Sequence, residues 1–203
     1  MRLLAEQLSA SRAGRTIFAG ISFALAEGDG LLLAGPNGSG KTTLLRVLAG
    51  FLSPSAGSVR LEGGVADAEI GEACHFIGHL PQTKAGLTVR ENLMFEARFL
   101  GAGRADDVDR ALERLGLGEL GDIRAGYLST GQRRRLALAR LLVAERTIWL
   151  LDEPSVSLDK ASTATLAALI REHQARGGIV IAATHIPLGL ESATELRLGG
   201  AAA

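Results

Sequence analysis

Eight consecutive residues, GPNGSGKT from Gly35 to Thr42, gather the residue types that hold a phosphate. Their spacing is G-x-x-x-x-G-K-[ST], with an apolar strand-like run before it and a helical run after it. Glycines permit positive φ, so backbone N–H groups of a loop made by Gly35, Pro36, Asn37, Gly38, Ser39 and Gly40 can surround an anion. The helix opening at Lys41, Thr42 and Thr43 adds the positive end of its dipole. Lys41 is placed to reach the β- and γ-phosphates of a nucleotide, and the Thr42 hydroxyl to bind Mg²⁺. A glycine-rich turn with an incidental lysine does not account for eight matched positions with the right flanks.

A second cluster lies in IWLLDEP. Ile148 to Leu151 form an apolar strand that ends on Asp152 and Glu153, and open α/β sheets bind ligands at such strand ends. By itself an acidic pair there is more often a turn or a helix cap. With a phosphate loop elsewhere in the chain, Asp152 becomes a candidate for the Mg²⁺ shell. Glu153 becomes a candidate to orient and deprotonate an attacking water. GIVIAATH ends in the same manner and presents His185, a candidate contact to the γ-phosphate. Gln82, after FIGHLP, is a polar side chain between the two phosphate motifs and could reach Mg²⁺ or water. His79 competes with it, although FIGHL reads as strand through His79. LSTGQRRRLALAR starts a helix capped by Ser129, and its arginines read as solvated or paired with nearby carboxylates.

These residues need elements to carry them. RLLAEQL, TIFAGISFALAEG and GSVRLEG alternate as antiparallel β structure. GLLLAG, CHFIGHL, TIWLLD and GIVIAAT read as strands, several of them apolar enough to be buried on both faces. KTTLLRVLAG and DKASTATLAALIREHQARG read as helices between them, an alternation that implies a parallel sheet with right-handed crossovers. TVRENLMFEARFLG and ADDVDRALERLG add helices in the middle. The expected fold is α/β: a P-loop core with an N-terminal antiparallel part, as one domain over residues 1–203 carrying a helical insertion at about 88–140.

Composition narrows the function classes. Basic and acidic residues number 22 each, which disfavours a protein that binds nucleic acid through bulk charge. One cysteine, Cys74, leaves no internal disulfide and suits a reducing cytoplasm. The N-terminus lacks a signal peptide's apolar core, and the apolar runs fall short of the roughly 20 residues that span a bilayer. A membrane role would therefore run through a partner. The GGAAA tail reads as frayed.

The P-loop, the glutamine after FIGHLP, LSTGQ, LLDEP, SLD and the histidine of AATH stand in the order of the ATP-binding-cassette family, and LSTGQ resembles that family's LSGGQ signature. The resemblance implies an ATPase working as a head-to-tail pair, with ATP and Mg²⁺ bound. In that arrangement Ser129, Gly131 and Gln132 of one copy face the γ-phosphate held by the other. Thr130 departs from the family's glycine, and β-branching restricts the backbone there. The family's adenine-stacking aromatic position falls on Arg12, whose planar guanidinium can also stack; a solvated surface arginine is the competing reading.

GHLPQTKAGLTVRENL, the triple arginine, the short loop after Gln82 and THIPLGL narrow the likeness. They look like the ATP-binding subunits of the haem exporter of bacterial cytochrome c maturation. That resemblance implies a peripheral subunit on the cytoplasmic face of the inner membrane, docked on integral membrane subunits and driving haem or haem-chaperone release. No Cys-x-x-Cys-His or other direct haem site occurs in the chain. Three rivals remain: the cassette of another small exporter, a soluble cassette ATPase acting on nucleic acid, and a nucleotide-binding module without turnover. A single cassette with no net charge disfavours the second, and Glu153 with His185 the third.

Overall fold

The apolar runs form the sheet that carries the site. In a computed structural model, residues 1–63, 70–101, 104–186, 188–190 and 193–199 are described. Residues 200–203 of the tail and Pro187 of THIPLGL lie outside them.

Three strands form an antiparallel sheet in the order β2-β1-β4: β1 (Arg2–Arg12), β2 (Arg15–Ala26) and β4 (Ala56–Glu62). Ala13 and Gly14 turn the β1–β2 hairpin, both at positive φ (49° and 74°), the backbone hand that suits the strands' twist. The second sheet is parallel, in the order β5-β6-β7-β3-β8. Its strands are β3 (Gly30–Ala34), β5 (Cys74–Ile77), β6 (Ile148–Asp152), β7 (Ile179–Ala183) and β8 (Thr194–Arg197). Every residue of β6 and β7 is buried, as unbroken apolar runs between helices require.

Two strands differ from expectation. β8 pairs with β3 from Leu31–Thr194 to Ala34–Arg197, yet its sequence TELR carries no apolar signal. An edge strand held by main-chain bonds does not need one. β5 stops at Ile77, so His79 stands beyond the strand rather than within it.

Helix α1 (Lys41–Leu48) buries Leu44, Leu45, Val47 and Leu48. They join one apolar cluster with Leu3 and Leu8 of the antiparallel sheet and Leu33, Leu150 and Ile181 of the parallel one. That packing fixes α1, and with it the loop before it, against both sheets. A second cluster forms around α2 (Val89–Phe99), α3 (Ala105–Arg114), α4 (Thr130–Val143) and α5 (Lys160–Ala175), including Leu93, Leu112, Leu138 and Ile170. Capping boxes start α2 (Thr88 with Glu91) and α4 (Ser129 with Gln132). An Arg140–Glu96 ion pair at 3.1 Å, largely shielded from solvent, joins α4 to α2. No helix among the described residues is long and apolar enough to cross a membrane.

Two of the four histidines belong to this core. The His173 ring stacks on Trp149 with centroids 4.0 Å apart, and Nε2 of His75 lies 2.8 Å from the Ala144 carbonyl. Burial lowers the pKa of each to about 4, so both are neutral at pH 7. That leaves His79 and His185 for chemistry.

Candidate nucleotide site

β3 ends at Ala34 and α1 begins at Lys41, and the loop between them makes its turn through glycines. Gly35 sits at φ 135°, where an added Cβ would come within 2.3 Å of the Leu198 carbonyl oxygen. Gly40 sits at φ 100°, where a Cβ would strike Ile17 at 2.7 Å. Both positions therefore exclude a side chain for lack of room as well as for backbone strain.

Inside the loop the polar groups are arranged for an anion. Lys41, 9% exposed, donates from Nζ to the carbonyls of Gly35 (2.7 Å) and Pro36 (3.0 Å). The ammonium thus lies folded across the loop. Ser39 is buried and its Oγ has no hydrogen-bond partner among the described residues. An orphaned buried hydroxyl is costly, and a phosphate oxygen would satisfy it.

At the end of β6 the Thr42 hydroxyl donates to Asp152 Oδ2 at 2.8 Å. Residues 110 positions apart in sequence are brought together because α1 packs on the parallel sheet. Glu153, the next residue, has φ 47°, a left-handed conformation that costs a non-glycine residue about 1–3 kcal/mol. Its N–H donates to the Ala183 carbonyl at 2.8 Å, and its own carbonyl accepts from Arg134 Nη2 at 2.6 Å. These bonds hold the strained residue so that its carboxylate faces the cleft. His185, just past β7, places Nε2 3.3 Å from Glu153 Oε1. Ile17, Lys41, Thr42, His79, Asp152 and Glu153 line one cleft, together with Asn37, Gly38, Gly40 and Thr43 of the loop and helix start.

The remaining candidates lie elsewhere. Gln82 is exposed and lines separate hollows beside Ala137 and Arg140. Arg12 is exposed at the end of β1, and it is Ile17 that borders the loop. Ser129 and Gln132 satisfy each other: Oγ of Ser129 accepts from the Gln132 N–H (3.2 Å), and Gln132 Oε1 accepts from the Ser129 N–H (2.8 Å). Gly131 approaches the Ser157 carbonyl so closely that a Cβ would lie 2.9 Å from it. Thr130 occupies the first helical position of α4 and is exposed.

Sequence reasoning missed two residues, Ile17 and Arg134, and ranked a third too low. Ile17 carries no signal, being one more apolar residue of a strand. His79, named as the competitor of Gln82, was set aside by reading β5 as longer than it is. Arg134 is neither solvated nor paired side chain to side chain with a carboxylate, but buried at 1% exposure. Its signal was available, since it lies four and seven residues before the buried Leu138 and Leu141, on one helical face.

Known proteins decide the family. The profile of the family described as ABC transporter matches residues 18–156, which span the loop, the signature turn and Asp152–Glu153. The chain belongs to the ABC transporter family. This ABC ATPase binds and hydrolyses ATP. It is 52% identical over 200 residues to a "Cytochrome c biogenesis ATP-binding export protein CcmA" of Chelativorans sp. (strain BNC1), covering 98% of each chain. A protein of the same name from Nitrobacter winogradskyi is 48% identical over 202 residues, covering 100% of each. In fold, the ABC ATPase superposes on a solved ATP-binding subunit of an ABC transporter with a TM-score of 0.85 at 23% identity, over 98% of this chain and 86% of the other. It also superposes on an ATP-binding protein assigned to an ABC transporter of Pyrococcus furiosus, with a TM-score of 0.83 at 24% identity over 98% of both.

Proposed function

We propose that this chain is the ATP-hydrolysing subunit of an exporter serving cytochrome c biogenesis. The hydrolytic part rests on one cleft that holds Lys41, the Thr42–Asp152 pair and Glu153, with His185 of the adjoining hollow 3.3 Å from the Glu153 carboxylate. The exporter part rests on relatives of that name at about half identity over nearly the whole chain. By the cytochrome c resemblance the cargo is haem or a haem-chaperone complex.

In this reading Lys41 exchanges its bonds to the Gly35 and Pro36 carbonyls for phosphate oxygens, and Ser39 gains the partner it lacks. The loop N–H groups and the start of α1 hold the phosphates in place. The Thr42 hydroxyl and the Asp152 carboxylate fit Mg²⁺, which binds through one or two protein oxygens plus substrate phosphates. When bound it would neutralise developing charge on the phosphates. Glu153 accepts the proton of the attacking water, and His185 orients the carboxylate and contacts the γ-phosphate. Ile17 offers apolar surface on the cleft rim, with Arg12 the alternative near the base. Ser129, Gly131 and Gln132 complete the site of a second copy, aimed by the α4 dipole. Gln82 joins the cleft only if its loop moves.

Docking on integral membrane subunits, at the cytoplasmic face of the inner membrane, is assigned to the loop after Gln82 and to α2. The Lys84 main chain is held by the buried Asn92 side chain, through N–H to Oδ1 at 2.8 Å and Nδ2 to the carbonyl at 3.0 Å. Phe95 and Phe99 of α2 expose apolar surface next to it (47% and 78%). A deletion strain lacking this chain tests the reading. The wild-type chain should restore covalent haem in c-type cytochromes. A chain with three residues inserted after Lys84 should bind ATP normally yet restore none. Failure of the wild type refutes the exporter reading, and full restoration by the insertion variant removes the loop from its docking role.

A further inference from the structure

Arg134 spends all five of its N–H donors on main-chain carbonyls. Nε donates to Pro154 (2.9 Å), Nη1 to Gly78 (2.6 Å) and His79 (3.4 Å), and Nη2 to Asp152 (3.0 Å) and Glu153 (2.6 Å). The side chain is 1% exposed, so water cannot stand in for it. Those carbonyls belong to two segments, the exits of β5 and β6, where the chain leaves the sheet and loses its ladder partners. Arg134 itself sits on the first turns of α4, directly after the signature turn.

The bonds connect three parts of the machinery. His79 and Glu153 both border the cleft, and the carbonyl of each is held by the same guanidinium. Glu153 is the strained residue at φ 47°, and its carbonyl receives one of the two shortest of these bonds. Burial disfavours the charged guanidinium, while the Asp152 and Glu153 carboxylates favour it. The neighbouring Arg135 does a different job, donating to the Leu115 and Gly116 carbonyls after α3.

We propose that Arg134 is a positioning residue for hydrolysis: through the carbonyls of Glu153 and His79 it sets the base and the β5 exit against the signature helix. It does not itself line the cleft. The phosphate loop on β3 and α1 receives no bond from it, so ATP affinity and turnover depend on it differently. A planar fork is essential to this role. Lysine keeps the charge but presents a compact ammonium with three donors, which cannot reach both strand exits in one plane.

The proposal rests on Glu153 acting as the base, and its test keeps the two ideas apart. Arg134→Lys and Arg134→Gln are prepared in the full-length chain beside wild type and Glu153→Gln. ATP affinity and phosphate release per nucleotide-occupied site are measured for each. Both Arg134 variants should bind ATP within about threefold of wild type. Turnover per occupied site should fall about ten- to a hundredfold, the loss that a misplacement near 1 Å produces. A purely structural role lowers the melting temperature but leaves turnover per occupied site unchanged. That result overturns the proposal, as does a loss of affinity parallel to the loss of turnover, or failure of both variants to fold. Glu153→Gln that still hydrolyses ATP sinks the base assignment itself. Inactive Glu153→Gln with fully active Arg134 variants sinks only the positioning role.

Discussion

Replacing Glu153 with glutamine leaves ATP bound and stops its hydrolysis. The substitution conserves shape and can keep the contact now made at 3.3 Å with His185, but an amide cannot take a proton from water. Turnover should fall by a factor on the order of 10²–10⁴, the usual worth of a positioned general base. Affinity should stay within about threefold, because the groups facing the phosphates, Lys41, Ser39 and the loop N–H groups, are untouched. The ATP-bound state should also live longer. Equilibrium nucleotide binding and steady-state phosphate release, measured on the same preparation, check both halves. Near-normal release would remove Glu153 from the base role.

Lys41→Ala fails at the other step. The ammonium now donates to the Gly35 and Pro36 carbonyls at 2.7 and 3.0 Å, bonds that a phosphate would replace with charge-assisted ones. Losing a hydrogen bond of that kind costs about 1.5–3 kcal/mol, which is roughly ten- to a hundredfold in affinity. Truncation leaves the helix start intact, since alanine is a good helix former and the lysine makes no cap. The weakened affinity should therefore appear in a protein that still folds and unfolds cooperatively, with its helix content kept. Affinity within twofold of wild type, by calorimetry with ATP, would mean that the lysine does not meet the phosphates.

The two variants separate because the sequence places their residues on different elements, and that much was legible. Gly35 to Thr42 announces its strand and its helix. The continuous apolar runs of β6 and β7 read as interior strands, so Asp152 and Glu153 must emerge at the carboxyl end of the sheet. Less legible was whatever depends on where main chain ends rather than on side-chain type. β8 shows no apolar pattern, since only Leu196 of its four residues packs inward and the main-chain pairing to β3 does the rest. His79 leaves its strand after Ile77, and only the position of that exit puts it in the cleft. Arg134 reads as surface charge in a run of three arginines, and the five main-chain carbonyls that accept from it explain why it is buried. Gln82 and the signature residues were placed by motif order. In a single chain Gln82 faces another hollow, and Ser129 and Gln132 cap their own helix. Motif order carries no information about which chain a residue serves.

In the proposed function, one chain begins the ATPase site and a second copy completes it. The most direct test is the rate of phosphate release from MgATP against the concentration of wild-type chain, followed into the dilute range. Sedimentation under the same conditions reports the state of association. If a second copy completes the site, the rate rises more than linearly with concentration while the chain is mostly monomeric, approaching proportionality as pairs accumulate. A rate strictly proportional to concentration, in a chain shown to stay monomeric with ATP bound, would contradict it.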